Sequence, residues 1–240
     1  MAAVTEQPES AANPVSLPGL EYLSTADKLI LSQKVELAET FVGFETANKY
    51  TVKNAAGQHV YFAVEESGAC MRNCCSYMRA FNLRILDSAK REILQMRRPL
   101  RCQGCCYPCY LQELEVSAGG QVLGTVRQDW SVFRPSFSVC LPDGTTALKL
   151  RGPAFRWMSC CGTDFDVLSA DGDEEVGFIT KVWSGLTKEL FTDSDRYGIV
   201  FPDDLDVNMK ATLLGAAFLV DFMFFESSLC RGDCGCCMIC

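Results

Sequence analysis

Residues Asp193 to Glu226 read DSDRYGIVFPDDLDVNMKATLLGAAFLVDFMFFE, an acidic loop running straight into the most apolar segment of the chain. From Ala211 to Phe225 the only charge is Asp221. A helix that is apolar on every face must be buried, either in a protein core or in lipid. At ~1.5 Å per residue this run covers roughly 22 Å, short of the about 30 Å of a bilayer hydrocarbon core. Starting the helix at Val207 nearly closes the gap, but it brings Asn208 and Lys210 to the edge of the span. Length alone leaves core and membrane open.

What precedes the run is informative. Short apolar or alternating segments recur at Tyr50 to Lys53, Val60 to Glu65, Phe81 to Leu86, Glu92 to Met96, Leu111 to Val116, Val122 to Trp130, Phe137 to Leu141, Ala147 to Leu150, Phe165 to Leu168 and Glu175 to Trp183. Turn signals separate them, among them Asn54 to Gly57, Gly119-Gly120, Asp143-Gly144 and Asp171-Gly172. Many short strands at regular spacing predict an antiparallel sandwich or barrel. One apolar helix arriving after all those strands is expected to plug or cap the sheet. Upstream, Ser24 to about Gln33 is expected to form a short helix and Val35 to Phe44 a strand. Residues 1–20 hold three prolines and no hydrophobic period, so they are expected to be a disordered leader. One domain is expected over residues 21–226, with helix 207–225 inside it and a cysteine-rich tail at 227–240.

The formal charge of −8 argues against broad nucleic-acid binding, which needs Lys and Arg in excess. No signal peptide is visible in the first twenty residues, so a cytosolic origin is expected. A reducing compartment discourages structural disulfides, yet the chain has 15 cysteines. Their clustering into CMRNCC, CQGCCYPC, SCC and CRGDCGCCMIC points to metal binding, acylation or redox chemistry.

Twelve residues counted from Asp193 place Asp195 third, Gly198 sixth and Asp204 twelfth, the frame of a calcium-binding EF-hand loop. Calcium takes several oxygen ligands around a sharply turned backbone. Here Tyr197 and Phe201 occupy side-chain ligand positions, Pro202 stiffens the loop, and no helix is evident before Asp193. The plain alternative is an acidic solvated turn.

Arg97, Arg98 and Arg101 lead into Cys102, Cys105, Cys106 and Cys109. Two abutting C-x₂-C units fit zinc. They also fit S-acylation, with the arginines as a second signal toward anionic lipid. Inert buried thiols are the third reading. The end of the tail, Cys237-Met238-Ile239-Cys240, approaches a prenylation box but ends in an atypical Cys. His59 is the only histidine, and no G-x-S-x-G, P-loop or zinc-protease pattern is present, so nothing argues for covalent catalysis.

From about Leu17 to Glu226, through GFETANKY, PLRCQGCCYPCYLQELEV and the FTDSDRYGIVFPDDLDVNMKATLLGAAFLVDFMFFE block, the chain resembles the phospholipid scramblase family. The resemblance implies a mainly β, tubby-like fold, a closed antiparallel barrel of about twelve strands enclosing a C-terminal hydrophobic helix. It implies a calcium segment carried by Asp193, Asp195, Tyr197, Gly198, Ile199, Phe201 and Asp204, and palmitoylation at Cys102, Cys105, Cys106 and Cys109. This cysteine run is less dense than the family's, and the leader is short. The implied function is calcium-dependent, ATP-independent, bidirectional movement of phospholipids between leaflets. The alternative is an acyl-anchored, calcium-responsive lipid-binding or signalling adaptor. Membrane phospholipids are the expected partners, homo-oligomerisation is left open, and no nucleic acid is expected. The expected location is the cytoplasmic face of the plasma membrane through a lipid anchor, or else a single span with the C-terminus outside.

Overall fold

The computed structural model describes residues 19–33, 49–66, 80–101, 111–153, 164–182 and 196–225. Twelve strands form one antiparallel sheet that closes on itself. They are β1 Lys28–Gln33, β2 Lys49–Asn54, β3 His59–Glu66, β4 Phe81–Leu86, β5 Glu92–Arg98, β6 Glu113–Ala118, β7 Gln121–Asp129, β8 Ser136–Cys140, β9 Thr146–Arg151, β10 Phe165–Ser169, β11 Glu175–Val182 and β12 Arg196–Val200. Each pairs with its sequence neighbours, and β1 pairs with β12 to leave no free edge. Helix α1 (Glu21–Thr25) precedes the barrel. Helix α2 (Val207–Val220) follows it and continues as a π-helical turn over Asp221–Phe225.

Alternation decides which side chains fill the interior. Along β6, Leu114, Val116 and Ala118 are buried while Glu115 is exposed. On β5, Leu94, Met96 and Arg98 are buried beside exposed Gln95 and Arg97. The register stacks Leu83, Met96 and Val116 across three successive strands. A two-residue side-chain period therefore gives each of these strands one face toward the axis.

Helix α2 occupies that axis. Every residue from Met209 to Met223 is buried, including Asp221. The segment Val207–Phe224 is long and apolar enough to cross a membrane, yet 89% of it is buried inside the barrel. The helix leans on β6 and β7, where two glycines permit close approach. A β-carbon at Gly124 would lie 2.5 Å from Thr212 Oγ1, and one at Gly215 would lie 2.7 Å from Val116 Cγ2.

The two rims differ. One has tight turns at 55–58, 87–91, 119–120, 141–145 and 170–174, together with α1 and the segment from Phe201 into α2. Gly119 and Gly120, with φ of 56° and 83°, make the two-residue link in which both central residues need positive φ. The longer connections, 34–48, 67–80, 99–112, 130–135, 152–164 and 183–195, all join strands at the opposite rim.

Helix α2 starts at the tight-turn rim. Asp206 caps it by accepting from the Asn208 N–H at 2.9 Å, and Lys210 Nζ donates to the carbonyls of Ser24 (3.0 Å) and Ala26 (2.9 Å). Its far end packs among aromatics of the long-loop rim. Phe222 stacks on Phe81 with centroids 4.2 Å apart, and Phe224 lies 5.3 Å from Phe165.

Two expectations change. The helix expected over Ser24 to Gln33 is α1 followed by β1, because β2 and β12 both offer ladder partners to Lys28–Gln33. The middle of the expected calcium loop, Arg196–Val200, is strand β12. The expected strand from Val35 to Phe44, nearly all of the leader, and the tail lie outside the described residues.

Candidate functional site

The cysteine-bearing connection between β5 and β6 rises from a neck of polar side chains at the long-loop rim. Arg98, the last residue of β5, is 1% exposed and points into the barrel. Its Nε donates to Gln112 Oε1 at 2.9 Å, and its guanidinium carbon lies 5.7 Å from the centre of the Phe81 ring. Gln112 Nε2 donates in turn to the Arg101 carbonyl at 2.9 Å. Arg101 forms an ion pair with Glu113 at 2.5 Å, and Arg127 reaches the same carboxylate at 3.5 Å. These bonds tie the two stems of the connection together.

The three arginines therefore do different things. Arg97 faces outward and is exposed. Arg101 is half-buried and paired. Arg98, expected at a lipid surface, is a core side chain, because alternation along β5 directs it inward and Gln112 receives it there. Gln112 was missed in the sequence. A Gln fourteen residues beyond an Arg carries no local signal, and only the closure of the hairpin brings the pair together. Cys102, Cys105, Cys106 and Cys109 lie outside the described residues.

The expected calcium frame divides between the rims. Asp193 and Asp195 lie outside the described residues. Arg196 enters β12 at the long-loop rim, opposite Ser32 and Val182. Tyr197 and Ile199 point into the barrel, and the Tyr197 ring lies 6.4 Å from Phe218 on α2. Gly198 pairs with Ile30 on one side and Thr180 on the other. Phe201 is buried at the tight-turn rim, where its N–H donates to the Asp27 carbonyl at 2.9 Å and its ring lies 5.8 Å from Lys210 Nζ. Asp204 is exposed beyond that rim, with φ of 55°.

A calcium ion gathers oxygens at ~2.3 to 2.6 Å. Four steps of strand separate the two ends of β12 by about 13 Å. The described part of the frame thus does not fit one twelve-residue cage. Tyr197 and Phe201 are committed to the core, and Asp204 stands at the opposite rim from Arg196, where β12 begins. Among the described residues, no group of three or more His, Cys, Asp or Glu side chains is placed to hold a metal.

Comparison of the sequence with known proteins points to one family. The sequence model of the Scramblase family matches residues 8–227. The chain is 50% identical over 217 residues to phospholipid scramblase 2 of Bos taurus, covering 90% of this chain and 73% of that one. It is 51% identical over 210 residues to phospholipid scramblase 1 of Mus musculus, covering 87% of this chain but only 64% of the mouse protein. Phospholipid scramblase family member 5 of Homo sapiens is 48% identical over 225 residues, covering 92% of this chain and 83% of the relative. With half its residues shared over most of its length and a family match that takes in the barrel and α2, the chain belongs to the Scramblase family.

Proposed function

We propose that this protein moves phospholipids between the leaflets of a membrane, in both directions and without ATP. The observation that carries the reading is its 50% identity, over 90% of the chain, to a protein named phospholipid scramblase 2. The activity is transport rather than covalent catalysis. With α2 filling the axis, the barrel interior offers no lipid path, so lipid would move along the outer surface or through a bilayer that the protein perturbs.

Three finer features belong to the proposal. Calcium dependence rests on the family resemblance and on the carboxylates of Asp193 and Asp195, with hard oxygens suited to that ion, and leaves Asp204 outside the site. S-acylation at Cys102, Cys105, Cys106 and Cys109 rests on the resemblance and on the nearby arginines, since acyl chains beside basic residues anchor stably. The third is a location on the cytoplasmic face of the plasma membrane, which rests on the same resemblance and on that anchor.

Labelled phospholipid in reconstituted vesicles tests the main reading. Transbilayer exchange above that of empty vesicles is expected, and it is expected to rise with calcium. Exchange equal to empty vesicles with and without calcium sinks the proposal. That result would favour the second reading, an acyl-anchored lipid-binding or signalling adaptor, which the burial of α2 inside the barrel supports. A hydroxylamine-sensitive acyl label on Cys102 to Cys109 checks the anchor.

A further inference from the structure

We propose that the long-loop rim of the barrel is a membrane-docking surface, with the hairpin tip Trp130 to Arg134 entering the interface of an anionic bilayer. This rests on the proposed membrane function only for the class of its partner.

Leu100 is 56% exposed, Trp130 56%, Val132 64% and Phe133 74%. All four lie on two neighbouring hairpins at this one rim, β5–β6 and β7–β8. The hairpins are tied together, with the Gln128 N–H donating to the Gln112 carbonyl at 2.8 Å and the Gln112 N–H to Gln128 Oε1 at 3.1 Å. Large apolar side chains exposed together at one tip, on hairpins joined by hydrogen bonds, mark an interaction surface. Trp and Phe beside Arg is the composition that seats at the level of lipid headgroups, where one end of the side chain is apolar and the other wet.

Charge selects the bilayer over other partners. Arg97 and Arg134 are exposed at this rim, with Arg101 and Arg127 behind them. Among the described residues its acids are largely engaged: Glu113 by Arg101 and Arg127, Glu66 by Arg84 at 2.9 Å, Asp129 by the Ser138 hydroxyl at 2.9 Å and Asp164 by the Thr180 hydroxyl, while Glu115 stands opposite Arg97 in register. The opposite rim exposes Asp27, Asp143, Asp171, Asp173, Asp203 and Asp204. An anionic surface repels that rim and attracts this one, so the field orients the barrel before any apolar contact forms. The connection bearing Cys102 to Cys109 joins the same rim at Arg101 and Leu111, and α2 runs toward it.

The test uses the full chain produced without acylation, mixed with vesicles of phosphatidylcholine alone or with phosphatidylserine, in the absence of calcium. The parent is expected to float with the serine-containing vesicles. Trp130→Ser with Phe133→Ser should weaken that binding at least about tenfold, with an unchanged melting curve. Phe178→Ser, a 39% exposed side chain on the barrel wall, should leave it unchanged. A second measurement needs no disruptive variant. Lipids brominated near the carbonyl region should quench tryptophan emission of the parent more than that of Trp130→Phe. Equal binding by parent and double variant overturns the proposal, as does an equal loss with Phe178→Ser or an absence of Trp130 quenching. Loss of self-association in the double variant with vesicle binding intact assigns the tip to a second copy of the chain, and also overturns it. A protein that docks through this rim without exchanging lipid refutes the transport reading alone.

Discussion

Gly124 on β7 and Thr212 on α2 meet at a close approach between helix and wall, where a β-carbon on the glycine would lie 2.5 Å from Thr212 Oγ1 and 2.7 Å from the Cys140 carbonyl oxygen. The Thr212 hydroxyl is fixed by its donation to the Asn208 carbonyl at 2.8 Å, and the Cys140 carbonyl belongs to the backbone of β8. Neither neighbour yields easily. Gly124→Ala should cost about 1 to 3 kcal/mol, the usual range for overpacking a filled core. Urea unfolding measures it, and adding Thr212→Ala should recover only part of the loss because the carbonyl stays in place.

Arg97 and Arg98 are neighbours in sequence on opposite sides of the wall. Removing the Arg98 side chain strips Gln112 Oε1 of its charged donor, so Arg98→Ala should lower stability by ~1.5 to 3 kcal/mol. Arg97→Ala should change stability by no more than ~0.5 kcal/mol. Vesicle binding should reverse the order. Each basic side chain near an anionic surface contributes about 1 kcal/mol, so Arg97→Ala should weaken binding to serine-containing vesicles roughly fivefold. Arg98→Ala, measured where it remains folded, should not weaken it.

This pair also marks how far the sequence could be read. The strand rhythm and the apolar run predict an antiparallel sandwich or barrel plugged or capped by a helix, because burial imposes periods of two and of none on those segments, and only the family resemblance implies the closed barrel around it. Arg98 was misread because a basic cluster looks like a solvated face until strand register sets its side. Lys28–Gln33 was misread as helix because the ladder that makes it a strand comes from β2 and β12, the latter more than 160 residues away. Ring closure is a long-range fact without a local signature. The predicted strand Val122 to Trp130 takes in Trp130 and leaves Ser131 to Arg134 between strands, where Ser131 and Pro135 are turn residues, so nothing local marks the apolar tip. The calcium frame was legible as spacing, but spacing does not reveal that a strand runs through its middle.

Acid should expose the turns of the opposite rim. Asp87 is held below the ordinary carboxylate value by the Arg91 N–H and then by its guanidinium, Asp143 by the Thr145 N–H, and Asp171 by the Ser169 hydroxyl and the Asp173 N–H. A carboxylate depressed by folding adds stability that is complete above its unfolded value of 3.8 and is lost as pH falls through the lower folded value. Melting temperature should therefore drop below about pH 4. The triple variant Asp87→Asn, Asp143→Asn, Asp171→Asn keeps an acceptor at each turn and removes the titration. Its acid limb should be flatter than the parent's, and equal slopes would refute the assignment.

The division of the calcium frame by β12 makes a quantitative demand on its two acidic ends. If calcium binding draws on Asp193, its ligands come from the long-loop side of a strand about 13 Å long, and Asp204 stands beyond reach of the same ion. Groups more than ~7 to 10 Å apart with no shared partner change free energies additively within about 0.5 kcal/mol. Calorimetric titration of calcium into the parent, Asp193→Ala, Asp204→Ala and the double variant closes that cycle. The expected result is no coupling between the two positions, with any loss of affinity falling on one single variant and repeated unchanged in the double. A single cage built on the twelve-residue frame requires the reverse. Either substitution alone would remove most of the affinity, the second would add little, and the coupling would exceed 1 kcal/mol. That outcome would require β12 to leave the wall when calcium binds, releasing Tyr197 from Phe218 and Ile199 from the core. Near-ultraviolet circular dichroism of the buried aromatics would report such a release, and no change in that signal on calcium addition is expected while the barrel stays closed.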